Sequence, residues 1–180
     1  FVPFAVNHAA CIGGLQTTAS HNPANYNGFK ISKMRGKPVG EQTGLREIRA
    51  LGEAGPGSGE LIGSRTEVDL WESYRAHVHP MLADNLRTGA AKIRVAIDAS
   101  NGMAGTMVPK VFGDVPGIEI IDINFENRTG TFVHEPNPLV EANLSQVREA
   151  TVAEGCHVGI CFDGDADRCM VVDEQGGIVG

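Results

Sequence analysis

The sequence predicts an α/β protein. Apolar runs of strand length alternate with helix-length stretches, most cleanly beyond residue 92. Two of those runs end directly in polar turns rich in Asp, Asn and Gly. Such alternation implies layers of helix on a mixed, largely parallel sheet. Ligand-binding groups of such a sheet gather beyond the carboxyl ends of its strands.

The elements follow in order. Pro3 suits a first helical turn, and Phe4, Ala5, Val6, His8, Ala9 and Ala10 continue it. A strand over 12–17 comes next, then a polar loop around Ser20, then a strand opening at Phe29-Lys30-Ile31-Ser32. Gly36-Lys37-Pro38 reads as a turn. Leu45, Ile48 and Leu51 share one helical face, which predicts a helix over 43–51, and the run 55–59 reads as a mobile surface loop. Thr66 with Asp69 resembles an N-terminal cap for a helix through Leu70, Tyr74, His77 and Val78 that falters at Pro80. The polar stretch 85–91 is taken as the join between two units, 1–88 and 89–180. Beyond it come a strand at 93–97 ending in Asp98-Ala99-Ser100-Asn101-Gly102, a helix over 105–112 and a strand at 118–123. A loop over 124–138, a helix over 140–153, and strands at 157–162 and 169–172 complete the pattern.

A net charge of −7, with 22 acidic against 15 basic residues, excludes a general surface for nucleic acid or anionic membrane. Any phosphate site must be assembled locally. Cys11, Cys156, Cys161 and Cys169 form no C-x-x-C pair and sit mostly in apolar runs, as reduced thiols of a cytoplasmic protein do. No apolar run reaches membrane-spanning length. The opening F-V-P-F-A-V has neither an initiator Met nor a basic leader and reads as the inside of a helix, so the numbering is expected to begin partway into a larger protein.

Asp163, Asp165 and Asp167 alternate along a short loop fed by an apolar strand. Three carboxylates so close repel one another unless a cation compensates, and a hard divalent ion with oxygen ligands answers that need. An acidic hairpin turn is the plain alternative, but three Asp and Arg168 between two apolar strands argue against it. An EF-hand loop starting at Asp163 would find Glu174 at its twelfth position, yet Arg168 stands where that loop requires Gly. A phosphatase of haloacid-dehalogenase type also sets D-x-D after a strand. It expects Thr or Val where this chain has Asp167, and it leaves Ser20 unused.

Ser20 lies in T-T-A-S-H-N-P at 17–23, just past an apolar run. There is no G-x-S-x-G, and His21 is poorly placed as its general base, so an acyl-hydrolase triad is disfavoured. A serine loop with His21, Asn22 and Lys30 nearby, plus a carboxylate-held cation, suits phosphoryl transfer, which depends on positioning and charge neutralisation. His77 and His79, two apart on a helix, face different ways and make a poor metal pair. Gly102-Met103-Ala104-Gly105 lacks dinucleotide-loop spacing.

T-A-S-H-N-P at 18–23, N-G-F-K at 27–30 and D-G-D-A-D-R at 163–168, in this order and separation, resemble the α-D-phosphohexomutase superfamily of phosphoglucomutases and phosphomannomutases. The resemblance implies that Ser20 carries phosphate. It implies that Asp163, Asp165 and Asp167 bind Mg²⁺ with a phosphoserine oxygen. Lys30 becomes the candidate general acid/base, with Arg168 beside the reacting groups. His21 and Asn22 order the loop and meet substrate. The implied reaction moves phosphate between O1 and O6 of a hexose phosphate, with a hexose 1,6-bisphosphate as intermediate and activator. Family members have four domains. Residues 1–88 resemble part of the phosphoserine domain and 89–180 the metal-loop domain, so the 180 residues alone are expected to turn over poorly. H-E-P-N-P-L at 134–139 resembles the phosphomannomutase/phosphoglucomutase branch. A non-catalytic sugar-phosphate-binding remnant and a metal-dependent phosphatase with an Asp nucleophile remain the alternatives.

Overall fold

The computed structural model describes residues 1–55, 57, 59 and 63–180. The chain divides into two compact units, one of Phe1–Thr17 with Phe29–Glu72, the other of Thr18–Gly28 with Ser73–Gly180.

In the first unit, α1 (Val2–His8) packs on an antiparallel sheet of β1 (Gly13–Thr17), β2 (Phe29–Lys33) and β3 (Lys37–Pro38). The register pairs Leu15 with Ile31 and Thr17 with Phe29. A Cβ on Gly14 would lie 2.7 Å from side-chain carbons of Val2 and Val6, so the missing side chain lets the helix sit close on the strand. The expected turn at 36–38 is displaced. The reversal falls on Met34–Gly36, with Arg35 and Gly36 both at positive φ, and Lys37–Pro38 becomes an edge strand, where Pro costs no ladder bond. The helix expected from residue 43 starts later, as α2 (Arg46–Glu53), because Gly44 (φ +129) and Thr43 leave helical geometry. Of the expected loop over 55–59, Pro56 and Ser58 lie outside the described residues. Asp69, rather than Thr66, caps the next helix: its Oδ1 accepts the Trp71 amide at 2.9 Å.

That helix, α3 (Trp71–Val78), is followed by a 3₁₀ turn at His79–Met81 containing Pro80, and α4 (Asp84–Thr88) occupies part of the stretch read as a join. The second unit is built on a five-stranded sheet. Its strands are β4 (Ile93–Asp98), β5 (Ile118–Ile123), β6 (Val158–Phe162), β7 (Cys169–Asp173) and β8 (Ile178–Val179), in the order β5-β4-β6-β7-β8. β4 is parallel to β5 and β6, while β7 and β8 are antiparallel additions. β8 was not legible as a strand, since two residues carry no periodicity.

β4 is buried on both faces, as a central strand of a covered sheet must be. On one face Ala96, Cys161 and Val172 pack with Leu144 and Val147, which bring in α6 (Ser145–Ala153). On the other, Val95 and Ile97 pack with Ala104 and Val108 of α5 (Ala104–Phe112). Each fully buried Val or Leu contributes about 1.5–3 kcal/mol. The helix expected over 140–153 opens as a 3₁₀ turn at Glu141–Leu144. From β4 the sheet grows to β5 on one side and to β6 on the other. This reversal of strand order falls between β4 and β6, and ligands of open α/β sheets bind beyond the carboxyl ends of the strands at such a point.

No described helix is long and apolar enough to cross a membrane.

Candidate functional site

Asp163 follows the last residue of β6, so the acidic loop stands at the carboxyl edge of the sheet. The loop turns on itself: Ala166 (φ +58) donates its amide to the Asp163 carbonyl at 3.1 Å. Asp163 is fully buried and its carboxylate is claimed on both oxygens. Oδ1 accepts the amides of Asp167 (3.0 Å) and Arg168 (3.1 Å). Oδ2 accepts the Ser20 hydroxyl (3.1 Å) and Arg168 Nε (2.9 Å). Asp165 is also buried, and Asp167 is exposed.

Ser20 belongs to the same unit, in a loop closed by the Thr18 amide on the Gly28 carbonyl at 2.9 Å. Its backbone is left-handed (φ +54), a conformation costing a non-Gly residue about 1–3 kcal/mol and retained where surrounding contacts over-determine it. Those contacts are present. The Ser20 amide donates to Thr18 Oγ1 (2.8 Å), and Thr18 Oγ1 donates to Asp165 Oδ2 (2.9 Å). Asn22 closes the turn through its amide and Nδ2, both donating to the Ala19 carbonyl.

Arg168 draws the two loops together. Its Nη2 lies 2.8 Å from Asp163 Oδ2, donates to the Ser20 hydroxyl oxygen, and meets His21 Nδ1 at 2.5 Å. A guanidinium only donates, so His21 Nδ1 is the acceptor in this contact. His21 Nδ1 lies 3.5 Å from Ser20 Oγ. Ser20, His21, Asp163 and Arg168 therefore form one hydrogen-bonded cluster, with Asp165 joined through Thr18. Asn22 sits in the same loop, while Lys30 lies on β2 of the other unit, paired in register with Gln16.

One oxygen from each of Asp163, Asp165 and Asp167 lies within 4.8 Å of the others. An all-oxygen, three-carboxylate set is the donor type that hard divalent ions such as Mg²⁺ take. Asp98, His134 and Cys161 form a second close group. Its chemistry differs, because His134 is already spent: Nε2 lies 2.9 Å from Asp98 Oδ2 and Nδ1 lies 2.8 Å from the Glu135 carbonyl. Both nitrogens face acceptors, which is the pattern of an imidazolium. The hydrogen bond to Asp98 accordingly holds the His134 pKa above its ordinary value, with burial opposing.

Sequence reasoning passed over Thr18 as a site residue. A hydroxyl two residues before a turn residue was the available signal, since Ser/Thr side chains bond backbone two positions on. It also passed over the Asp98–His134 pair, which no spacing rule finds across 36 positions.

A family model described as phosphoglucomutase/phosphomannomutase, alpha/beta/alpha domain II, matches residues 72–177, and its domain I counterpart matches residues 1–55. The chain belongs to the phosphoglucomutase/phosphomannomutase family. A phosphomannomutase of Salmonella montevideo is 34% identical over 181 residues, covering 96% of this chain and 39% of that protein. A Xanthomonas campestris pv. campestris (strain B100) protein named phosphohexose mutases is 32% identical over 177 residues, covering 97% of this chain and 38% of its own. A crystal structure of a phosphoglucomutase/phosphomannomutase family protein from Burkholderia thailandensis has a TM-score of 0.70 at 30% identity, covering 93% of this chain and 34% of that one. The chain thus spans about two fifths of the length of its curated relatives.

Proposed function

We propose that the protein carrying this chain is a phosphohexomutase of phosphomannomutase/phosphoglucomutase type, with Ser20 as its phosphate carrier. The observation that supports this most directly is the hydrogen-bonded cluster of Ser20 Oγ, Asp163 and Arg168, with Asp165 tied in through Thr18. In this reading the bond between phosphorus and Ser20 Oγ breaks as a hydroxyl oxygen of the hexose monophosphate bonds to phosphorus. That hydroxyl gives up its proton to a base, for which Lys30 is the candidate. Arg168 stabilises the serine oxygen as it leaves, and His21 and Asn22 hold the loop and meet the sugar phosphate. The bisphosphorylated hexose turns round while bound, and its other phosphate returns to Ser20 Oγ. Asp163, Asp165 and Asp167 would hold Mg²⁺, which when bound offsets charge on the transferring oxygens. Residues 1–88 would supply the carrier and 89–180 the metal loop. The 180 residues alone would turn over poorly, since no G-E-x-S-G-H sugar loop occurs among them.

A phosphatase with Asp163 as nucleophile fits less well, because it gives no role to Ser20, whose hydroxyl bonds to Asp163 Oδ2.

Incubating the full-length protein with glucose 1,6-bisphosphate, followed by intact-mass and peptide analysis, tests the reading. About 80 Da added at Ser20, the mass of a phosphoryl group, and loss of turnover in Ser20→Ala are expected. Phosphate on Asp163, or normal turnover by S20A, overturns it. Absence of any turnover or phosphate uptake favours the non-catalytic remnant.

A further inference from the structure

The turn over 98–102 at the end of β4 carries backbone strain that the proposed chemistry leaves unexplained. Ser100 (φ +47) and Asn101 (φ +51) are consecutive left-handed residues, and neither is Gly. Strain of this kind persists where neighbours enforce it and gathers at functional sites. Here the enforcement is dense. Asp98 Oδ1 accepts the Ser100 amide (2.8 Å) and Asn124 Nδ2 (3.0 Å), and His134 holds Oδ2. Asn101 donates its amide to the Asn124 carbonyl (2.8 Å), its Nδ2 donates to the Glu126 carbonyl (2.8 Å), and its Oδ1 accepts the Val133 amide (2.8 Å).

This turn grips the acidic loop on both sides of Asp163. Ser100 Oγ donates to the carbonyl of Phe162 at 2.6 Å, and the Met103 amide donates to the carbonyl of Gly164 at 2.9 Å. Gly102 lies against Gly164 so tightly that a Cβ on Gly102 would meet the Gly164 carbonyl oxygen at 2.5 Å and its Cα at 2.8 Å. Gly164 in turn lies against the serine loop: a Cβ there would meet the Ser20 carbonyl oxygen at 2.2 Å. Three backbones are stacked in contact through two missing side chains.

We propose that Ser100 and Gly102 are positioning residues for phosphoryl transfer: the stack Gly102–Gly164–Ser20 sets the height of the Ser20 hydroxyl over Asp163. The strained turn is the rigid seat of that stack, and neither residue touches the reacting atoms. The inference rests on Ser20 being the phosphate carrier.

Gly102→Ala and Ser100→Ala, each in the full-length protein, test it. G102A forces Gly164 outward, whereas S100A removes one link and adds no atom. For G102A, the rate of Ser20 phosphorylation by glucose 1,6-bisphosphate should fall at least tenfold. The Mg²⁺ concentration for half-maximal rate should rise, and KM for glucose 1-phosphate should stay within twofold. S100A should show the same split at about threefold to tenfold. A merely structural role would lower active fraction without changing the Mg²⁺ requirement. Wild-type rates and Mg²⁺ dependence in S100A, and in G102A if it folds, overturn the proposal; if G102A fails to fold, S100A decides alone. Normal turnover by S20A would sink the carrier assignment itself, whereas inactive S20A beside normal S100A and G102A would sink only the seat.

Discussion

Ser20 Oγ lies 3.1 Å from Asp163 Oδ2, across 143 positions of sequence, and Arg168 bonds to both. The serine is thereby held against a buried carboxylate that is itself hydrogen-bonded on both oxygens. Replacing Asp163 by Asn tests that arrangement. Whichever oxygen becomes NH₂ then faces a donor, either the amides of Asp167 and Arg168 or the Ser20 hydroxyl and Arg168 Nε. Arg168 also loses its buried partner, but its side chain is 35% exposed and keeps Asp167 at 3.6 Å, so the charge itself stays compensated. The buried donors left unsatisfied cost about 1–3 kcal/mol. Urea unfolding of Asp163→Asn should show a loss of that order, accompanied by loss of Ser20 phosphorylation.

Thr18 spans the two loops with a single hydroxyl that accepts the Ser20 amide and donates to Asp165. Thr18→Val keeps the shape and removes both bonds, at about 1–3 kcal/mol for the polar groups left without partners. The expected result is a lower unfolding midpoint and weaker Mg²⁺ binding by isothermal titration. Thr18→Ser keeps the hydroxyl and should restore both. Equal Mg²⁺ affinity in Thr18→Val and wild type would show that the bridge does not order Asp165.

How much of this was legible beforehand follows from the range of each interaction. β4, β5, β6 and β7 could be read because each is an apolar run bounded by turn residues, and burial on a covered sheet enforces that pattern. The apolar face of Leu45, Ile48 and Leu51 predicts a helix from residue 43 but says nothing of the φ at Gly44, which delays its start to Arg46. Three Asp and one Ser could be singled out as types, since charge crowding and loop chemistry are local. Their meeting is not local, and only the resemblance to a family joined them. The part Gly164 plays shows only in space, where a Cβ on it would meet the Ser20 carbonyl oxygen at 2.2 Å.

His134 gives the protein a pH signature. Its pKa is raised from the ordinary 6.5 by the hydrogen bond to Asp98, with burial opposing. A raised folded-state value stabilises the fold fully below the unfolded-state pKa and loses that contribution as pH climbs through the folded value. The urea midpoint of the wild type should therefore fall as pH increases from about 6.5 through the His134 transition. His134→Gln should lie lower at acidic pH by about 1.5–3 kcal/mol, the scale of a hydrogen bond to a charged group, and should lack that slope. A parallel slope in both proteins would mean that another group titrates.

The cysteines divide by position rather than number. Cys11 and Cys169 are exposed, whereas Cys156 and Cys161 are buried in the sheet core. Burial pushes the Cys161 thiol up to about 12, with the nearby Asp98 carboxylate adding to the effect, and burial likewise raises Cys156. The thiolate is the reactive species, so both buried groups are nearly inert at neutral pH. Among these four, iodoacetamide at pH 8 should alkylate Cys11 and Cys169 in the folded protein and all four in denaturant, read by peptide mass. The same experiment reports on the core. Cys161 packs beside Ala96, Leu144 and Val147 on the face that holds α6 against β6. Its labelling under native conditions would require that layer to open, so modification of Cys161 should track global unfolding as urea is raised. Labelling of Cys161 well before the unfolding transition would show that α6 detaches independently, and that the strand delivering Asp163 is held less firmly than its burial implies.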